Sequence, residues 1–136
     1  MSLVLDTGVL VAAARPWEAD HEACRALLAG REQRVVPAPV LVEVAHILAS
    51  TPAWPALLDD IVAGALTVAD LSEGDYVRVR ELQETYRDLA PGFVDAAVLA
   101  VVERLGEPAL ATLDERHFRA LRPRHVDALR LLPADA

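Results

Sequence analysis

The sequence predicts an α/β protein in three layers, with a short parallel sheet of four to five strands flanked by helices on both faces. Three observations carry that expectation. Short apolar runs alternate with longer helix-periodic stretches along the whole chain, the rhythm of βαβ units. The strand candidates are apolar at successive positions rather than at every second one, as strands covered on both faces are. Two of them end directly on an aspartate, a residue suited to the turn that leaves a strand.

Ser2 to Leu5 is the first strand, stopped by Asp6-Thr7-Gly8, and Val9 to Ala14 is a short apolar helix ended by Pro16. Ala19 to Leu28 reads as an amphipathic helix with Gly30 as its stop. Arg34 to Val36 is a second strand broken by Pro37 and Pro39, followed by a helix from about Val40 to Ala49 that Thr51-Pro52 closes. Trp54 to Ala63 is a helix ending at Gly64, and Leu66 to Ala69 a third strand. Ser72 and Asp75 have capping-box spacing and open a helix to about Leu89, whose charged face (Arg78, Arg80, Glu81, Glu84, Arg87) is expected in solvent. Val94 to Leu105 carries an apolar stripe through Val94, Ala97, Val98, Val101 and Leu105, with Gly106 as its stop. Ala109 to Leu113 and Ala128 to Leu132 are the fourth and fifth strands. No repeat, linker or low-complexity tract divides the chain, so residues 1–136 are expected to form one domain.

Composition narrows the chemistry. Apolar residues make up 54%, enough for a packed core. The formal net charge is −8, and all 13 basic residues are arginine. Without lysine there is no P-loop lysine and no Schiff base, and the acidity argues against holding nucleic acid on a general basic surface. Cys24 stands alone and is expected as a buried thiol. No apolar run approaches the ~18–20 residues of a membrane span. The N-terminus lacks the basic start of a signal peptide, so a soluble cytoplasmic protein with no membrane partner is expected.

Asp6 and Asp114 follow predicted strands, and in parallel sheets ligands bind outside the carboxyl ends of the strands. Each also suits a turn or a helix N-cap. Glu43 lies mid-helix with Val40, Val44 and Ile47 at i−3, i+1 and i+4, which expects it on the buried side, an exposed glutamate on a helix apolar nearly all round being the structural alternative. Asp95 begins the most apolar helix, where capping is the structural alternative. Carboxylates gathered at one sheet edge repel unless a positive charge sits among them. A hard divalent cation with oxygen ligands resolves the conflict, magnesium first and manganese as a substitute. Zinc would call for histidine or thiolate. His21-Glu22 opens like a zinc-protease motif, but Arg25 stands where the second histidine belongs, and the four histidines are expected in surface or packing roles. Cations held by carboxylates at an open edge suit phosphodiester hydrolysis by metal-activated water.

The chain resembles the PIN-domain ribonucleases and, more narrowly, VapC-type toxins of VapBC toxin–antitoxin pairs. The resemblance rests on Leu3 to Ala12, Pro37 to Val44, Phe93 to Ala100 and Ala111 to Phe118, four stretches in family order. It implies a three-layer PIN-like fold and makes Asp6, Glu43, Asp95 and Asp114 the catalytic, metal-binding acidic quartet of a Mg²⁺-dependent endoribonuclease. Thr7 and Thr112 would support them. Gly8 departs from the serine or asparagine that many relatives carry. The resemblance further implies a homodimer, a small DNA-binding antitoxin, and cleavage of transfer or ribosomal RNA.

Substrate phosphates would be met by arginine, with Arg15 and Arg116 nearest the site-bearing segments and Arg119, Arg122 and Arg124 close behind. Trp17 and Trp54 suit stacking on RNA or packing on a partner, and packing is expected. The charge left outside the site suggests an antitoxin with a basic contact segment. A phosphatase with an aspartyl nucleophile at Asp6 would want a second aspartate where Gly8 stands, and a lysine. A PIN nuclease outside any toxin pair, and a degenerate PIN-like module that only binds, remain as alternatives at this point.

Overall fold

A computed structural model describes residues 1–136. Strand β1 (Ser2–Leu5) leads through Asp6 into α1 (Thr7–Ala14) and α2 (His21–Leu28). Then follow β2 (Gln33–Pro37), α3 (Ala38–Leu48), α4 (Ala53–Ala63), β3 (Thr67–Ala69) and α5 (Glu73–Thr85). The chain closes with α6 (Phe93–Leu105), β4 (Ala109–Ala111), α7 (Glu115–Ala120) and β5 (Arg130–Leu132). All pairings are parallel and the sheet order is β3-β2-β1-β4-β5. The two halves of the chain therefore meet at the centre, where Leu5 of β1 is in register with Ala111 of β4. The fold is the expected three-layer α/β/α arrangement.

Local chemistry explains the boundaries. Pro39 lies in the first turn of α3, where a missing N–H is harmless, so that helix begins before the proline rather than after it. Gly64 and Gly106 end α4 and α6 with φ of +83° and +69°, left-handed values that other residues reach only under strain. Helix α5 stops at Thr85, short of the expected Leu89, because Tyr86 leaves helical geometry and its hydroxyl accepts from Arg122 N–H. Strand β4 stops at Ala111, two residues early, since Thr112 and Leu113 turn toward α7. Helix α7 is too short and too charged to show a hydrophobic period, and the sequence reading did not include it.

The core gathers on β1, β4 and α6. In α6, Ala96 through Val102 are all buried, so this helix is enclosed nearly all round. Cys24 is fully buried, as expected. Trp54 packs on this chain's own core, whereas Trp17 is 77% exposed, with the Arg15 guanidinium 5.9 Å from its ring centroid. Arg78 also departs from the solvated face assigned to it: its side chain is 14% exposed and makes a two-pronged bond to Glu103, at 2.8 and 3.0 Å. Beside it, buried Asp75 closes the capping box with Ser72 and accepts from Arg104 Nε at 3.0 Å. No helix is long and apolar enough to cross a membrane.

Leu99 is fully buried at the middle of α6. Leu99→Ala is expected to cost about 2–5 kcal/mol in urea unfolding through lost burial and a residual cavity.

Candidate metal centre

The parallel sheet brings the ends of β1 and β4 to one edge. Asp6 N–H extends the ladder to Ala111 C=O at 2.9 Å, and Asp6 then caps α1 by accepting from Thr7 N–H at 2.8 Å. Its second oxygen accepts from the Thr112 hydroxyl at 2.7 Å. Thr112 is fully buried, and the same hydroxyl accepts from Asp114 N–H at 3.0 Å. Asp114 caps α7, accepting from His117 N–H at 3.1 Å, while His117 Nδ1 lies 2.9 Å from the other Asp114 oxygen. The turn and cap roles foreseen for Asp6 and Asp114 are thus real, and both residues face the same edge while filling them.

Asp95 differs. The N-cap of α6 is Gly92, and Asp95 caps nothing by side-chain hydrogen bond. Its carboxylate lies 3.9 Å from His117 Nδ1. Glu43 is exposed, contrary to the expected burial, because its helix turns this position to the open edge while Val40 and Val44 fill the core. There it accepts from the Thr7 hydroxyl at 2.5 Å. Glu43, Thr7, Asp6, Thr112, Asp114 and His117 thus form one hydrogen-bonded chain, and Asp95 faces its end.

The electrostatics of this edge are unfavourable as it stands. Burial raises the Asp6 carboxyl above the usual carboxylate range; bonds from Thr112 and Thr7 oppose that, and the charges of Glu43 and Asp114 add to it. Burial, followed by repulsion from Asp6 and Asp114, pushes Asp95 up to about 6. No arginine relieves the repulsion: the ion-paired ones are held by Glu18, Glu22, Glu81, Glu84, Glu103, Asp75, Glu115 and Asp135. Oxygen donors crowded with no arginine among them fit a divalent ion. The donors that come within 4.8 Å of one another belong to Asp95, Asp114 and His117, so the tightest group is three residues rather than four acids.

His117 is the site residue that the sequence reading missed, having placed all four histidines in packing or surface roles. The signal available was its i+3 spacing from Asp114, which puts a side chain back over a helix N-cap. Among the arginines, Arg15 pairs with Glu18 at 3.6 Å and Arg116 is exposed with no carboxylate partner. Arg119 is held by Glu115 and Asp135, and Arg124 by Glu81, so neither is free for phosphate as expected. At Gly8 a Cβ would meet Leu113 at 3.5 Å, ordinary contact, so space does not demand glycine there.

Two outcomes follow from this geometry. Asp95 titrates near 6 in the fold, above its unfolded value, so the folded chain binds that proton more tightly and loses stability as pH rises from ~4 to ~6. In chelator the melting temperature is therefore expected to be higher at pH 5 than at pH 7.5. Asp95→Asn should flatten that difference and stabilise the metal-free chain at pH 7.5 by on the order of 1–2 kcal/mol. Thr112→Val, which leaves a buried Asp6 oxygen bare, is expected to cost ~1–3 kcal/mol in urea unfolding, with Thr112→Ser close to wild type.

Comparison with known proteins identifies the fold and the family. The PIN domain family model matches residues 3–122. The chain is 29% identical over 125 residues to ribonuclease VapC26 of Mycobacterium tuberculosis, covering 89% of this chain and 93% of that protein. The crystal structure of M. tuberculosis VapC20, described as a sarcin-ricin loop cleaving toxin, superposes with a TM-score of 0.78 at 20% identity, covering 92% of this chain and 98% of that one. VapBC2 of Rickettsia felis, bound to a promoter DNA fragment, gives 0.68 at 18% identity over 96% and 97% of the two chains. With the family model matching nearly the whole length, from residue 3 to residue 122, the chain belongs to the PIN-domain family.

Proposed function

We propose that the protein is a divalent-cation-dependent endoribonuclease, Mg²⁺ in the first instance with Mn²⁺ as substitute, and the toxin of a type II toxin–antitoxin pair. The observation that carries this reading is the open carboxyl edge of a parallel sheet bearing Asp6, Glu43, Asp95 and Asp114 with no arginine bonded to any of them. These four residues would hold the cation. When bound, it supplies a water of lowered pKa and positive charge at the phosphate. Asp6 is the fixed member, both oxygens occupied by donors from Thr7 and Thr112. Thr7 ties Glu43 to the same edge, and Thr112 aligns the turn that carries Asp114. Asp95, unbonded to backbone and more open than Asp6, is the acid free to orient a proton-bearing water. Arg116 is the arginine we assign to substrate phosphate, since it borders Asp114 and has no carboxylate to release; Arg15 is a second contact only after breaking its pair with Glu18.

The substrate in this reading is structured RNA, transfer or ribosomal, and the chain acts as one nuclease domain over residues 1–136 in the cytoplasm. The partner is a small DNA-binding antitoxin with a basic segment, a charge match for a chain of net −8. Homodimer formation is supported by apolar side chains left in solvent beside Glu43: Val42 is 72%, Tyr76 56% and Phe93 44% exposed, the two rings stacked at 6.4 Å.

Purified protein incubated with total RNA should cut it in millimolar Mg²⁺ or Mn²⁺ and stop in EDTA. Asp95→Asn and Asp6→Asn should each lower the rate at least about 100-fold while the folded circular-dichroism spectrum is retained. Retention of cation-dependent cleavage by both variants would overturn the reading. A short neighbouring reading frame whose product copurifies with the chain and silences it is the expected mark of a toxin.

A further inference from the structure

We propose that His117 is itself a ligand of the cation site, completing with Asp95 and Asp114 a mixed nitrogen–oxygen donor set that favours Mn²⁺ and other first-row transition ions over Mg²⁺. This rests on the reading above that the edge is a cation centre, and it goes beyond that reading by adding a residue outside the acidic quartet and a metal preference.

Three features of the structure lead there. One imidazole nitrogen and one oxygen from each of two carboxylates lie within 4.8 Å of one another, and they come from different elements, α6 and α7. Adjacent donors on an octahedral ion with bonds of ~2.1 Å stand ~3 Å apart, close to the 2.9 Å between His117 Nδ1 and Asp114 Oδ2. Second, the ring is held in place: His117 engages both Asp114 oxygens, one through backbone N–H and one through the ring, so the imidazole and the carboxylate share one orientation. In the metal-free chain Nδ1–H donates to Asp114; a bound cation would take the place of that proton, which then sits on Nε2, and the Nδ1 lone pair would face the same space as the Asp95 and Asp114 oxygens. Third, the histidines with other assignments are accounted for. His21 Nδ1 lies 2.8 Å from Ala12 C=O and His125 Nε2 2.6 Å from Glu107 C=O, whereas His117 is the one within 4 Å of two carboxylates of the site.

The chemistry of the donors sets the preference. Magnesium takes oxygen and keeps its waters; imidazole suits softer divalent ions, with affinity rising from Mn²⁺ through Co²⁺ and Ni²⁺ at a given nitrogen–oxygen site. An all-carboxylate centre would show little of that gradient. A histidine that merely held Asp114 in place would raise affinity for every cation alike, and this difference separates the two roles.

The test uses the full chain stripped of metal and titrated calorimetrically with Mg²⁺, Mn²⁺ and Co²⁺, beside His117→Asn and His117→Ala. Asparagine keeps a donor toward Asp114 and removes the ring nitrogen. Wild type is expected to bind Co²⁺ and Mn²⁺ at least about tenfold tighter than Mg²⁺. His117→Asn should lose most of that margin with Mg²⁺ affinity changed less than about threefold. Pulsed electron spin resonance of the Mn²⁺-loaded chain should show nitrogen coupling in wild type and in a His46→Ala control, and none in either His117 variant. Equal loss for all three ions, or absence of nitrogen coupling in wild type, overturns the ligand role while leaving the cation centre standing. Wild-type chain that binds no cation, or binding unaffected by Asp95→Asn and Asp114→Asn, overturns the centre and the ligand together.

Discussion

The Thr112 hydroxyl is the joint on which the site depends. It donates to Asp6 and accepts from Asp114 N–H, two residues that follow the central strands of opposite halves of the chain. Its burial is complete, so the donation to Asp6 is made where water cannot substitute. Parallel pairing of β1 with β4 brings the two acids to one edge, but pairing alone leaves them free to rotate away from one another. A single hydroxyl used in both directions removes that freedom, and it places the repelling charges before any ion neutralises them. Burial first, and then repulsion from the neighbouring acids, raises the carboxyls of Asp6 and Asp95, while the Thr112 bond works against the rise at Asp6.

The remaining acids are handled in another way. Asp75 and Glu103 are each gripped by an arginine between α5 and α6, and Asp135 is gripped by Arg119 next to β5. Arginine suits this use because its planar fork matches a carboxylate at two points. Ion pairing with arginine is thus spread over the rest of the molecule, buried and exposed alike, and withheld from one edge. A net charge of −8 describes the sum, whereas the function follows from where the unpaired negative charges are concentrated.

Much of this was legible in the residues. Strands buried on both faces advertise themselves by unbroken apolar runs, and strand-end acids in a parallel sheet converge by topology, so Asp6, Asp114 and the three-layer fold could be read in advance. Glu43 was placed at the right helix position but on the wrong side: its neighbours Val40 and Val44 define a buried stripe from which position 43 is rotated by 100° per residue, and Ile47 is itself 41% exposed. His117 and α7 left only a faint trace in the residues. A helix of six residues shows no period, and although the i+3 spacing sets His117 over Asp114, its approach to Asp95 is tertiary and spacing does not encode it. Arg78 was misread because Glu103 lies 25 positions away, and a charged face looks solvated until its partner is known.

The contact between Asp6 and Thr112 spans 106 positions. During synthesis the first acid leaves the ribosome long before the hydroxyl and the last acid exist, and β1 has no central neighbour on its β4 side until nearly the whole chain has emerged. If the molecule cuts RNA, its own translation is therefore protected by geometry: a nascent chain carries the parts of a nuclease without their assembly. Until β4 is made, the acids of the two halves have no common edge.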